Sequence, residues 1–501
     1  MDFNIGETLI HRARLTPDDE GFVGEGYRYS FCEVNSRVNR FAAYLKQKNI
    51  APGERLAILC KNNEHLGIAI YASAKIGAIA VVLNWRLQKP ELEYILNNCK
   101  ASFLVYDAEF QETVDQLKTT IPARIYVRKG GEGQDVEFEA AISEQPASEP
   151  TLIGGGDDPA IIMYTSGTTG KPKGATLTHN NLLWSSLTLS HTLDWNYGDR
   201  FLLVAPLFHI GGFAPLVTNL HKGATTIFVP NFDPKSVWAA IAQEKITSMM
   251  SVPLMLQAML MVARATKIDS SSLKWLICGA SAVPESLIRA YLELGIKVQQ
   301  VYGITEFSGG VTFWLHNMPL EKSHTHGKPI FYSELKIVDP QTGLEKMAGE
   351  VGEILCKGPI VFKGYWDNPT ATREAFMDGW YRSGDLGVVD EDGYFSVVDR
   401  LKDMIISGGE NIYPAELEAV IITHPAVAEV AVVGIPDSKW GEIPAAYVVK
   451  KTGTSVETED IVRLCKEKLA SFKCVREVRF VDGLPKNPVG KILKNVLKAS
   501  K

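Results

Sequence analysis

No run of about 18 consecutive apolar residues occurs, the length that a membrane-crossing helix requires. The longest apolar stretch, Leu66 to Trp85, is broken by Lys75 and Gly77 and reads as a core helix followed by a strand. Cysteine is sparse: seven residues, scattered, odd in number and without a CxxC pair. That spacing excludes a disulfide scaffold and a structural zinc site and fits a reduced compartment, so a cytoplasmic location is expected. A large excess of one charge is also missing. The 52 Lys and Arg against 58 Asp and Glu leave a net charge of -6 over 501 residues, which gives no basis for bulk nucleic-acid binding. The opening residues Met1 to Glu7 have neither the basic nor the apolar region of a signal peptide. His324-Thr325-His326 has no further ligand cluster beside it and reads as a solvated turn before a metal pair. Oligomeric state is not legible, and peripheral membrane contact stays open.

The length exceeds one compact core. Up to residue 150 helical and strand patterns alternate: the helix Phe31 to Leu45 with Val34, Val38, Phe41, Ala42 and Leu45 on one face, then strands at Arg55 to Cys60, Ala78 to Leu83 and Phe103 to Tyr106. Alternating units of this kind argue for largely parallel, doubly covered sheets. The Gly- and acid-rich segment from Lys129 to Asp158 reads as a linker. It leads into the apolar strand Ala160 to Met163 and then Thr165-Ser166-Gly167-Thr168-Thr169-Gly170-Lys171-Pro172-Lys173-Gly174. Three glycines, four hydroxyls and two lysines turn backbone N–H groups and positive charge towards an anion, the composition of a phosphate cradle. It is not a Walker loop, because Pro172 stands where GxxxxGK[ST] needs its hydroxyl. Leu177 to Leu183 then starts like a capped helix.

Further along, the strand Phe201 to Val204 runs into Pro206-Leu207-Phe208-His209-Ile210-Gly211-Gly212. An aromatic ring and an imidazole before two glycines suit a cavity wall, although a core histidine with a satisfied partner suits the same residues. Gly279-Ala280-Ser281, after the strand ending at Cys278, would let a flat ring approach the backbone. In Tyr302-Gly303-Ile304-Thr305-Glu306 a hydroxyl and a carboxylate stand side by side, able to hold a phosphate oxygen and an oxygen-seeking Mg²⁺. From Glu334 onwards short strands and Gly turns indicate a small β region that carries Asp385 and Arg400. Ser407-Gly408-Gly409 precedes a helix from Pro414 to Thr423. Strands at Glu429 to Val433, Ala445 to Val449 and Glu477 to Val481 follow, with a helix at Ile461 to Leu469. Lys491 sits on a Pro/Gly-stiffened loop, and the basic tail Lys494 to Lys501 reads as a solvated helix face.

The loop from Met163 to Gly174 resembles the signature loop of the adenylate-forming enzymes: acyl-CoA synthetases, luciferases and non-ribosomal adenylation domains. The later motifs follow in that family's order over essentially the whole chain, and the nearest likeness is to free-standing fatty acyl-CoA synthetases. The resemblance implies that Thr165, Ser166, Gly167, Thr168, Thr169, Gly170, Lys171 and Lys173 cradle the ATP phosphates. It implies that Tyr302 stacks on adenine, Thr305 touches the α-phosphate and Glu306 carries Mg²⁺. Gly279, Ala280 and Ser281 would line the adenine and acyl sites. Asp385 would take the ribose hydroxyls with Arg400 beside it. Phe208, His209, Gly211 and Gly212 would line the acyl pocket, where Gly211, Gly212, Gly309 and Gly310 suggest room for an extended chain. Lys402 would be the hinge, Gly408 and Gly409 the wall of the pantetheine tunnel, and Lys491 the catalytic cation.

The fold implied is α/β: a large N-terminal domain of two α/β subdomains plus a small β subdomain (1–401), then a small mobile α+β domain (402–501). The activity implied is ATP-dependent carboxylate–CoA ligation through acyl-AMP, with ATP, Mg²⁺ and coenzyme A, on a medium- or long-chain fatty acid. An aryl acid of benzoate or cinnamate type is the alternative. A luciferase-like oxidase and a non-catalytic nucleotide-binding protein are more remote.

Overall fold

The computed structural model describes residues 2–123, 125–165, 171–281, 283–407, 410–469, 473–486 and 492–499. Their contacts divide the chain into two units, residues 1–335 with 356–381, and residues 336–355 with 382–501. The division falls inside the small β region that the sequence assigns to the first domain.

The larger unit holds two sheets. In the eight-stranded sheet the strands Pro159–Thr165, Ile79–Val82, Arg55–Leu59, Phe103–Asp107, Ile125–Lys129 and Val136–Glu137 lie side by side and parallel. Lys173–Thr178 and Gly364–Tyr365 extend it antiparallel. The nine-stranded sheet has a parallel centre, Lys297–Ile304, Trp275–Cys278, Ser248–Ser251, Arg200–Leu203 and Thr225–Phe228, continued by Glu20–Gly24. Its antiparallel edges are Gly309–Trp314 with Lys328–Pro329, and Tyr27–Ser30. The central strands are buried along their length, as expected of parallel strands covered on both faces. In such sheets ligands bind outside the carboxyl ends of the strands, where the connection order reverses. Thr165, Phe208, Gly279 and Glu306 all follow or end parallel strands on that edge.

Two local expectations change. The segment from 129 to 158 is not a bare linker. It contains the helix Phe138–Ser143, whose Phe138 is fully buried. Glu149 further along pairs with the buried ammonium of Lys75, which also donates to Asn35 at 2.6 Å and Asn39 at 2.7 Å. An isolated buried ammonium is costly, so the pairing fixes this segment on the helices beneath it. The signature loop also does not lead straight into a helix. It joins two antiparallel strands, with Thr165 opposite Lys173, and the helix His179–Thr192 begins one strand later, capped by Thr178 and Asn181.

The smaller unit contains most of the strands Glu334–Val338, Gly352–Lys357 and Trp380–Val389, with Phe395–Arg400. A second sheet, Glu410–Ile412, Ile405–Ser407, Gly441–Lys450, Val427–Asp437 and Glu477–Phe480, packs on the helices Pro414–Ile421 and Thr458–Lys468 through Leu417, Ile421, Val432, Val448, Ile461 and Cys465. The basic tail forms the helix Lys494–Ala499, which buries Leu497 and pairs Lys494 with Glu418 at 2.8 Å. Among the described residues no helix is long and apolar enough to cross a membrane.

Candidate active site

The turn that carries Thr305 and Glu306 is built by its surroundings. The strand Lys297–Ile304 ends, a single 3-10 turn Thr305–Phe307 follows, and Ser308 takes a left-handed conformation with φ of 52°. The Ser185 hydroxyl donates to the Ser308 carbonyl at 2.7 Å, and the Ser308 hydroxyl donates to the Ile360 carbonyl at 2.8 Å. The Phe362 N–H donates to the Glu306 carbonyl at 2.9 Å. The Tyr365 hydroxyl donates to Glu306 Oε1 at 2.9 Å. Burial, and then the Glu306 charge, raises the Tyr365 phenol well above its usual range, so it stays a proton donor at neutral pH. Tyr381 packs behind it across Phe362, whose ring centre is 4.9 Å from Tyr365 and 5.4 Å from Tyr381.

Lys173, at the end of the signature loop, holds its ammonium 5.1 Å from the Tyr365 ring centre, and Lys171 lies 5.6 Å from that of Tyr94. These two lysines flank a cleft with Asn98, Trp366, Asp367 and Asn368. The loop itself, Ser166, Gly167, Thr168, Thr169 and Gly170, lies outside the described residues, as do Gly408, Gly409 and Lys491.

At the end of the strand Arg200–Leu203, Phe208 is buried while His209 is solvent-exposed. Dense surrounding protein, with a smaller contribution from Arg86, still lowers the His209 pKa to about 4. A side chain that is both surrounded and accessible lines a concavity, and this imidazole is neutral at pH 7. Phe208 meets His209 at 4.6 Å and the edge of Trp85 at 6.2 Å, and the Arg86 guanidinium lies 5.8 Å from the Phe208 ring centre. Trp85 and Arg86 follow the strand Ile79–Val82 of the other sheet, so this cluster joins the two carboxyl edges. The sequence reading missed both. Their place at a strand end, as with Phe208, was the available signal.

Gly211, Gly212, Gly309 and Gly310 differ in the space beside them: of the four, only at Gly309 would a Cβ meet nothing closer than 3.5 Å, the Ala214 Cβ. A Cβ on Gly212 would come within 2.4 Å of the Pro206 carbonyl oxygen, and one on Gly279 within 2.6 Å of that of Val301. These glycines allow close backbone approach, and the space beside them is filled. Gly211 would meet the Met250 methyl at 3.2 Å, and Gly310 the Phe313 ring at 2.7 Å. Ala280 and Ser281 are exposed, and Ala280 takes a φ of 68°, a strained conformation for a residue with a Cβ, of the kind concentrated at ligand sites. Tyr302 is half-buried, its ring edge-on to His326 at 6.1 Å. Among the described residues no group of three or more His, Cys, Asp and Glu gathers as a metal cluster. The Thr305 and Glu306 oxygens nonetheless suit a hard cation that keeps most of its waters.

In the smaller unit, Asp385 is 2% exposed, and Arg400 donates to it at 2.6 Å across paired strands. The expected partners thus do meet. Lys402 sits in the 3-10 turn Leu401–Asp403.

Residues 9–366 match the family described as AMP-binding enzyme, and residues 416–491 match the AMP-binding enzyme C-terminal domain; the chain belongs to this family. It is 38% identical over 499 residues to the long-chain-fatty-acid–CoA ligase FadD13 of Mycobacterium tuberculosis, covering 99% of this chain and 98% of that one. It is 40% identical over 491 residues to a feruloyl-CoA synthase from Amycolatopsis sp., covering 98% and 97%. The o-succinylbenzoate coenzyme A synthetase MenE from Bacillus subtilis, solved with ATP and magnesium ion, superposes with a TM-score of 0.88 at 33% identity, covering 98% of this chain and 99% of that one. The protein is an AMP-forming acid–thiol ligase that uses ATP, Mg²⁺ and coenzyme A on a carboxylic acid.

Proposed function

We propose that the acid is a medium- or long-chain fatty acid lying along the face of the nine-stranded sheet beneath the helix Ile210–Lys222. The observation that carries this reading is the wall itself. Met250, Ile277, Val301 and Phe313 share that face, and all four are apolar and buried. Each methylene buried there contributes up to ~0.8 kcal/mol. The relatives' names point in two directions, one to long-chain fatty acids and one to a feruloyl group.

In this reading the carboxylate oxygen bonds the α-phosphorus and expels pyrophosphate. The coenzyme A thiol, losing its proton, then bonds the acyl carbon and expels AMP. Tyr302 supports the adenine and Thr305 the α-phosphate. Glu306 with Thr305 would hold Mg²⁺, which when bound neutralises charge on the phosphate oxygens. Tyr365 keeps the Glu306 carboxylate oriented through its hydrogen bond. Neutral His209 borders the acid without adding charge. Asp385, held by Arg400, takes the ribose hydroxyls. Gly279, Ala280 and Ser281 border the adenine, and Phe208, Gly211 and Gly212 border the acyl group. The signature loop with Lys171 and Lys173 takes the pyrophosphate-forming end of ATP. Lys491 neutralises the attacking carboxylate in the first step. Gly408 and Gly409 admit the thiol arm in the second, after rotation at Lys402 of a domain 402–501 against 1–401. A cytoplasmic location belongs to the same reading, supported by seven cysteines that are all free.

The test is coenzyme A- and ATP-dependent AMP release across acids from acetate to palmitate, with benzoate and cinnamate. Rates that climb with chain length are the expected result. A maximum on the ring acids would replace the fatty acid with an aryl one, and AMP release without thioester would end the ligase reading.

A further inference from the structure

Adjacent glutamines on the strand Lys297–Ile304 have opposite surroundings. Gln300 is fully engaged. Its Oε1 accepts from the Val283 N–H at 2.9 Å, and its Nε2 donates to the carbonyls of Ser323 and Thr325. Gln299 points to the opposite face, as successive residues of a strand do. It is 2% exposed, and its Nε2 has no hydrogen-bond partner. Buried amides without an acceptor are costly and uncommon in native cores.

The face it occupies is the acyl wall. Gln299 stands in one cross-strand row with Ile277 and Met250, and the Met250 methyl lies 3.2 Å from the Cβ position of Gly211. The next residue on the same face of its own strand is Val301, which packs against Gly279. Gln299 is thus a polar side chain on the face shared by Met250, Ile277, Val301 and Phe313, with an unpaired donor buried in the layer where the acyl group is assigned. A chain of methylenes alone would leave that donor unanswered.

We propose that Gln299 reads an oxygen on the tail of the substrate, so that the preferred acid carries a hydroxyl, ether or carbonyl oxygen remote from its reacting carboxylate. This rests on the carboxylate–CoA ligase reading and refines it. At ~3.3 Å per residue, Gln299 lies ~13 Å along the strand from Gly303, beside the turn with Thr305 and Glu306. Less the reach of the glutamine side chain, that span suits an oxygen across a phenylpropenoid skeleton or several methylenes down a fatty chain. One donor serves both sources of the same chemistry.

The experiment compares kcat/KM for matched acids in the full-length enzyme: cinnamate against 4-hydroxycinnamate, and decanoate against 10-hydroxydecanoate. The pair in which wild type favours the oxygen-bearing member identifies the source. In Gln299→Met that preference should fall by about tenfold or more, mainly through KM. Gln299→Asn, which keeps an amide on a shorter arm, should retain part of it. Thermal shifts of each variant with the same acids give a second readout should turnover fail. An identical preference ratio in wild type and Gln299→Met, or a Met variant that is only more stable, would overturn the assignment. Turnover of plain acids with no dependence on Gln299 would sink this inference and leave the ligase reading intact. Failure of every acid to give AMP would sink both.

Discussion

Two carboxylates, one in each unit, are held in different ways. Asp385 is almost fully buried against the guanidinium of Arg400. Glu306, half-exposed at the end of its strand, takes a hydrogen bond from the phenol of Tyr365. A guanidinium both orients a carboxylate and cancels its charge, which suits the ribose role proposed for Asp385. A phenol orients without cancelling, which leaves charge for a cation. The two partners thus leave different charge on the two acids, although both are the same functional group.

The most severe test of this contrast is Glu306→Gln, which keeps the shape and removes the charge. It should lower kcat/KM for acyl-AMP formation by roughly a hundredfold to a thousandfold, as loss of an electrostatic stabiliser does; a mild effect measured by pyrophosphate release would mean that the charge is not used. Asp385→Asn should act on binding, raising the KM for ATP roughly tenfold with kcat little changed. Its cost in stability should stay near ~1 kcal/mol, because the Arg400 side chain is 40% exposed and remains solvated without its partner. Tyr365→Phe should be gentler, ~1 kcal/mol, seen as a roughly fivefold rise in the Mg²⁺ concentration for half-saturation in a titration followed by ATP binding. Combined with Glu306→Gln it should add nothing, since both act through one carboxylate.

The smallest expected effect on catalysis lies away from both acids. Buried His179 accepts from the Ile5 N–H at 3.1 Å through Nδ1, and burial lowers its pKa to about 4 from the ordinary 6.5. In the unfolded chain it protonates first, so its contribution is present above pH 6.5 and is lost as the pH falls towards 4. Urea unfolding should show up to ~3 kcal/mol of this slope, and His179→Gln should flatten it. An unchanged slope would remove His179 from the account.

Much of the fold was legible because its signals are local. Val34, Val38, Phe41 and Leu45 repeat at helical spacing, and the runs at Arg55, Ala78 and Phe103 are too short and too apolar for anything but buried strands. The linker reading failed at Phe138 and Glu149, whose partners lie far away in sequence. The strand Lys173–Thr178 was missed because Lys-Gly-Ala-Thr-Leu-Thr alternates weakly and pairs only once the loop has turned back. Of the candidate site, the meeting of Asp385 with Arg400 was foreseen. Tyr365, Trp85, Arg86 and Gln299 were not, because each matters only through a neighbour on another strand.

By itself the sequence determined the order of strands and turns and the chemical types at their ends: a glycine- and hydroxyl-rich loop, Thr305 beside Glu306, an aspartate after a glycine. Those depend on backbone propensities and on side chains adjacent in the chain. Only the tertiary structure decided which phenol faces Glu306, that Gly212 and Gly279 lie against the backbone carbonyls of Pro206 and Val301, and which of two neighbouring glutamines is left with a free donor. Those depend on strand pairing and register, where a shift of one residue exchanges the two faces of a sheet.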